Sequence, residues 1–190
     1  MKTISQLILR LLGWSIHGAE NVLSVPKVIV AVAPHTSNWD FPLGILVRSA
    51  SGINTRFLGK KSLFKPPFGF LFYWLGGYPV DRTKHTNLVD ATAAVINQKE
   101  EFRVTIAPEG TRSKVEGFKT GFYYIAKKAQ VPIILTAFDF KTKEVRFGPP
   151  FYPSDNYVED WTRIYDYFEG VEGLHPSYQF VRPKEITNPS

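Results

Sequence analysis

The chain has 190 residues, 44% of them hydrophobic and 21% charged, with no cysteine. That balance fits one folded domain with a sizeable core, and it excludes disulfides, thiolate metal sites and a cysteine nucleophile. The net charge of +6 is uneven: residues 1 to 128 hold seventeen Lys and Arg against eight Asp and Glu, the remainder six against nine. A basic body suits an anionic partner, which charge alone leaves open as a phosphate-bearing substrate, an anionic lipid surface or a nucleic acid.

The opening stretch, MKTISQLILRLLGWSIHG, reads as an amphipathic helix. Ile4, Leu7, Ile8, Leu11 and Leu12 fall at helical spacing, with Lys2, Gln6 and Arg10 on the other side and Trp14 near the boundary. Arg10 interrupts the apolar stretch and no small-residue cleavage site follows, so it is not read as a signal peptide. Its apolar face suits either a membrane interface or the domain's own core. No segment of the chain has the roughly twenty consecutive apolar residues of a spanning helix.

Short, β-branched apolar runs follow at residues 28–33, 56–59, 78–81, 104–107 and 133–138, and they predict strands covered on both faces. Helical spacing separates them: a segment from near Trp39, a second with Thr86 or Asn87 as its cap, and a third closing in Lys127 and Lys128 at the negative end of a helix dipole. Residues 144–153 predict a late strand ended by prolines, and VEDWTRIYDYFEG a terminal helix with Gly170 near its end. This alternation predicts a single α/β domain with a mostly parallel sheet flanked by helices. Residues 60–79 stand apart. Phe64, Phe68, Phe70, Leu71, Phe72, Tyr73, Trp74 and Leu75 are too many large apolar groups to hide easily; two prolines interrupt them, and Lys60, Lys61 and Lys65 flank them. They suit an anionic membrane surface or an acyl chain, or alternatively a buried apolar helix.

Four places carry chemistry. The stretch APHTSNWDF follows the first predicted strand and holds His35 and Asp40. A histidine accepts a proton near neutral pH, and a carboxylate on its second nitrogen fixes the tautomer. Five positions do not share a helix face, so the pair requires His35 in a loop and Asp40 on the first helical turn. APEGTRS follows another strand. Its turn offers Glu109, Gly110, Thr111, Arg112 and backbone N–H groups, either as an anion receptor with a bidentate arginine or as a β-turn with a surface ion pair. GGYPVDR delivers Arg82 from a third strand end, where two arginines could converge on one anion. VPIILTAF shapes a wall. No G-x-S-x-G elbow, H-E-x-x-H pair or nucleotide loop is present, and no nucleic-acid reading motif.

Taken in order, HTSNWD, GGYPVDR, APEGTRS and VPIILTAF resemble the four blocks of the glycerolipid acyltransferases, the group that includes the 1-acyl-glycerol-3-phosphate acyltransferases. The resemblance covers roughly residues 28 to 140, and GKKSLFKPPFG is similar to the family's basic segment between its first two blocks. It implies transfer of a fatty acyl group from acyl carrier protein or coenzyme A to the free hydroxyl of a lysophospholipid, foremost 1-acyl-sn-glycerol-3-phosphate, in phospholipid biosynthesis. By that carry-over His35 is the general base, Asp40 orients it, and Arg82, Glu109 and Arg112 bind the acceptor's head, with Gly110 and Thr111 in the same loop. No cofactor and no metal are expected. An amphipathic helix over residues 1–20 and an acyltransferase domain over 21–190 would sit peripherally on the cytoplasmic face of a bacterial inner membrane, against anionic lipid. Acylation of a lyso-aminolipid is the alternative acceptor chemistry. A non-catalytic anionic-lipid-binding protein is a different class, and it would not need the His35/Asp40 pair.

Overall fold

A computed structural model describes residues 2–80 and 88–187. The cap residues Thr86 and Asn87, and Arg82, lie outside them. Seven strands form one sheet in the order β1-β7-β6-β2-β5-β3-β4: β1 Ser15–His17, β2 Lys27–Ala33, β3 Thr55–Lys60, β4 Gly77–Val80, β5 Phe102–Ile106, β6 Ile133–Asp139 and β7 Glu144–Phe147. Among the described residues only the β6–β7 strand pair is antiparallel; the other strand pairs are parallel. This is the mostly parallel α/β sheet that the apolar runs predict.

The helices are α1 Lys2–Leu11, α2 Ala19–Leu23, α3 Asp40–Ser51, α4 Gly69–Trp74, α5 Leu88–Gln98, α6 Gly121–Ala129 and α7 Tyr157–Tyr167. Because side chains alternate along a strand, β2 feeds two cores at once. Ile29, Ala31 and Ala33 pack with Ile96 of α5, Phe122 and Tyr123 of α6 and Trp161 of α7. Val28 and Val30 pack on the other face with Leu43 and Val47 of α3. Strand β2 leads through α3 to β3, and β5 leads back through α6 to β6. The neighbouring strands β2 and β5 therefore send their helices to opposite faces, and the chain order reverses between them. Such a reversal opens a crevice at the carboxyl ends of the strands.

The helix expected over residues 1–20 is shorter. It ends at Leu11, Gly13 turns the chain with φ +78°, and Ser15–His17 joins the sheet beside β7. Stretches of three and five residues are too short to show a periodicity, so neither this edge strand nor α2 is legible in the residues alone. The late strand is also trimmed, to Glu144–Phe147, with only an isolated bridge from Phe151 to Ile133 continuing it.

Two apolar elements face outward. Helix α1 docks on α3 through its polar side: Ser5 Oγ donates to Ser49 Oγ at 2.9 Å, Gln6 Nε2 donates to the Ala50 carbonyl at 3.0 Å, and Leu9 is buried between. Ile4, Leu7, Ile8 and Leu11 are left in solvent, Leu11 at 77% exposure. In residues 61–74 the Phe64 ring turns in, with Phe72 half-buried against it. Glycines make the room, since a Cβ at Gly59 or Gly77 would come within 2.7 Å of that ring. Phe68, Phe70, Leu71, Tyr73 and Trp74 stay exposed. Among the described residues no helix is long and apolar enough to cross a membrane.

Candidate active site

Strand β5 ends at Ile106 opposite Ala31, two residues before β2 ends at Ala33, and the loops that leave these neighbouring strands meet at the carboxyl edge of the sheet. One loop holds His35; the other holds Glu109 to Arg112. The next element after His35 is α3, whose first residue is Asp40. The intervening four residues fold the imidazole back onto that first turn. His35 Nδ1 lies 2.9 Å from Asp40 Oδ2. The same oxygen accepts the Ser37 N–H at 2.9 Å, and Ser37 Oγ accepts from the Trp39 N–H at 3.1 Å.

Burial gives these contacts their weight. Asp40 is 5% exposed and the His35 side chain 22%, so the carboxylate is withdrawn from water while the imidazole keeps an edge in it. A carboxylate on Nδ1 holds the proton there and leaves Nε2 with its lone pair. Among the described residues Nε2 has no hydrogen-bond partner. The arrangement can therefore accept a proton at the solvent side and stabilise the resulting imidazolium from the buried side.

The second loop is less uniform than its sequence implied. Glu109, expected at the acceptor's head, is 1% exposed. Its Oε2 accepts the backbone N–H of His35 at 2.6 Å. Desolvation raises its pKa to about 8, and nearby Asp40 adds to that, against the opposing effect of the His35 N–H. Gly110 turns at φ +66° beneath the Lys119 side chain, where any Cβ would come within 2.9 Å of Nζ. Lys119 N–H donates to the Pro108 carbonyl at 2.8 Å and closes the loop. Thr111 Oγ1 accepts the Ser113 N–H at 3.3 Å. Arg112 is exposed, and among the described residues it makes no ion pair.

The loop thus presents Arg112 and Lys119 outward while Glu109 turns inward. Lys119 was not singled out by the sequence, because it lies nine positions beyond Gly110 and only the closed turn brings it back. Also unforeseen is a brace from the far end of the chain. The His175 N–H donates to Thr36 Oγ1 at 3.1 Å, and Gly173 lies so close to Thr36 that a Cβ would meet its Oγ1 at 2.5 Å. The Val181 N–H donates to the Val115 carbonyl at 2.9 Å, so one C-terminal segment contacts both loops. Among the described residues no group of three or more His, Cys, Asp or Glu could hold a metal ion.

Comparison with known proteins adds independent information. The family model described as Acyltransferase matches residues 14–138. The 1-acyl-sn-glycerol-3-phosphate acyltransferase of Salmonella typhimurium is 38% identical over 113 residues, covering 55% of this chain and 44% of that protein. The protein of the same name from Escherichia coli K12 is 37% identical over 111 residues, with the same coverage. The matched stretch is thus less than half the length of these relatives. The crystal structure of the 1-acyl-sn-glycerophosphate acyltransferase PlsC from Thermotoga maritima superposes with a TM-score of 0.60 at 22% identity, covering 86% of this chain and 72% of that one. That superposition speaks for the fold.

Proposed function

This chain belongs to the acyltransferase family, and from that premise we propose that it transfers a fatty acyl group from a thioester to the free hydroxyl of a lysophospholipid, foremost 1-acyl-sn-glycerol-3-phosphate. The single observation that carries the proposal is the 2.9 Å contact of His35 with buried Asp40, at the crevice where a second loop offers Arg112. In the proposed reaction Nε2 of His35 takes the proton of the acceptor hydroxyl as its oxygen attacks the thioester carbonyl carbon. Asp40 steadies the imidazolium. The tetrahedral intermediate then collapses, the C–S bond breaks, and the departing thiolate receives the proton from His35. Arg112, with the turn at Gly110 and Thr111, takes the acceptor's phosphate, because a planar guanidinium pairs phosphate oxygens in two bonds. Arg82, expected at the same anion, lies outside the described residues. The donor in this reading is acyl carrier protein or coenzyme A, and neither a metal nor a resident cofactor is invoked.

The reading also applies α1, Lys2–Leu11, to a membrane surface and seats the rest of the chain, with Ser15–His17 in its sheet, as the transfer domain. The outward leucines of α1 and the exposed aromatics of residues 68–74 support peripheral docking on anionic lipid, at the cytoplasmic face in a bacterium.

The test is acyl transfer by the purified protein from palmitoyl-acyl carrier protein and palmitoyl-CoA, with lysophosphatidic acid and a lyso-aminolipid offered as separate acceptors. His35→Ala should lower kcat about 10³-fold, the scale of a lost general base, with the fold intact by circular dichroism. Equal turnover in both proteins would overturn the proposal, and a preference for the lyso-aminolipid would reassign the acceptor.

A further inference from the structure

Glu109 falls within the stretch that resembles an anion-binding motif, yet the structure withdraws it from solvent. A carboxyl that bound a lipid head group would have to reach the crevice. This one is 1% exposed. Its Oε2 is committed to the His35 N–H at 2.6 Å, across 74 positions of sequence, and its Oε1 is buried with no hydrogen-bond partner. Its neighbour Asp40, 5% exposed, likewise keeps Oδ1 unpartnered while Oδ2 holds the imidazole and the Ser37 N–H. His35 is therefore gripped twice by buried carboxyl groups, at the ring by α3 and at the backbone by the loop after β5. We propose that Glu109 is a positioning residue for His35: it fixes the backbone of the proton-accepting loop to the neighbouring strand's loop and does not touch the acceptor.

Three observations make the assignment specific. The bond joins the loop after β2 to the loop after β5, the two strands between which the chain order reverses, so it ties the two loops together where they leave the sheet. Gly110 then turns the chain immediately, and Arg112 leaves outward. A buried acid beside another carboxyl is also favoured in its neutral form, and burial holds Glu109 at a pKa of about 8. A neutral carboxyl still accepts an N–H bond, so this function needs no charge. The groups that face it are Asp40 from α3 and His35 from the loop after β2, with Lys119 over the adjacent Gly110. Among the described residues Glu109 makes no ion pair, as suits a neutral carboxyl.

The kinetic part of this inference rests on the acyl-transfer reading; the spectroscopic part does not. Glu109→Gln keeps an acceptor and mimics the neutral acid, and should hold kcat within about threefold and acceptor KM within about twofold at pH 7. Glu109→Leu removes the acceptor and should lower kcat about thirtyfold at unchanged acceptor KM, since a loosened base loses rate and not binding. The second readout is the His35 amide in a ¹⁵N–¹H spectrum of the full chain in detergent, followed from pH 6 to pH 9.5. In the wild type it should carry a step with a midpoint near 8, over and above any change that the His35 ring itself produces, and Glu109→Gln should remove that step. A tenfold rise in acceptor KM with unchanged kcat in Glu109→Gln would return this residue to the head group. A His35 amide unaffected by that substitution would overturn the positioning role outright. If Glu109→Leu does not fold, the amide of Glu109→Gln decides. Absence of turnover from the wild type on every lysophospholipid would instead defeat the proposed function, and would leave the amide result standing.

Discussion

The two loops that meet over the crevice are built in opposite ways. From His35 to Asp40 the polar groups are largely spoken for: the imidazole on Asp40, the Ser37 N–H on the same carboxylate, the Trp39 N–H on Ser37, and Thr36 under the C-terminal segment. From Gly110 to Lys114 the side chains reach water, and Arg112 has no partner among the described residues. Under the proposed function the difference divides the labour. A proton acceptor works only at one geometry, so its loop is fixed before substrate arrives. A cation for an anionic head can gain its geometry from the ligand, so its loop stays open and the ligand's own charge completes it. Helix α1 extends the contrast to the surface, with its polar side bonded to α3 and Leu7 and Leu11 left exposed.

The closed loop should break hardest. Asp40→Asn keeps size and burial but removes the charge that favours the imidazolium, and it can present an N–H to Nδ1, forcing the wrong tautomer. We expect kcat to fall about 10³-fold with acceptor KM within threefold, on the scale known for orienting carboxylates. Steady-state kinetics on a variant with an unchanged unfolding midpoint checks it. A loss confined to KM would mean that Asp40 faces the acceptor and not the base.

The open loop should yield a smaller effect of the other kind. Arg112→Ala removes one charge-assisted pair to the head group, so acceptor KM should rise about tenfold while kcat stays within threefold and donor KM is unchanged. A tenfold rise in donor KM with acceptor KM intact would assign this loop to the thioester carrier.

How much of this could be read in the residues differs between the same two regions. The parallel α/β sheet is legible, because strands covered on both faces must be short, continuous and β-branched, as at Lys27–Ala33 and Ile133–Asp139. Asp40 at the start of a helix is legible too, since helical spacing begins there. The partner of Glu109 is not: nothing near residue 109 announces a bond to residue 35, and that contact exists only because β2 and β5 are neighbours in the sheet. Lys119 over Gly110 and His175 on Thr36 are hidden for the same reason. In α1 the spacing of Ile4, Leu7, Ile8 and Leu11 announces a helix and an apolar stripe. Which way the stripe faces is decided by the Ser5 and Gln6 bonds to α3, and periodicity carries no sign for direction.

That direction supports a last prediction, with the smallest effect on the folded protein itself. Leu7 and Leu11 are exposed, so replacing both by serine removes little from the protein's interior. The change in unfolding free energy should be within about 0.5 kcal/mol per site. Leu9, two residues from each, is buried against α3, and Leu9→Ala should cost about 2–4 kcal/mol through lost burial and a cavity. Sedimentation with vesicles rich in phosphatidylglycerol reverses the ranking. The double serine variant should lose at least tenfold in affinity, because each leucine entering the interface contributes on the order of 1.5–3 kcal/mol when fully transferred. Leu9→Ala, still folded at low temperature, should bind as the wild type does. Deleting residues 1–17 would be a poorer test, since it also strips Leu9 and the strand Ser15–His17 from the fold. If the double serine variant sediments unchanged but unfolds early, the outward stripe is covered by protein in solution and the membrane reading of α1 fails.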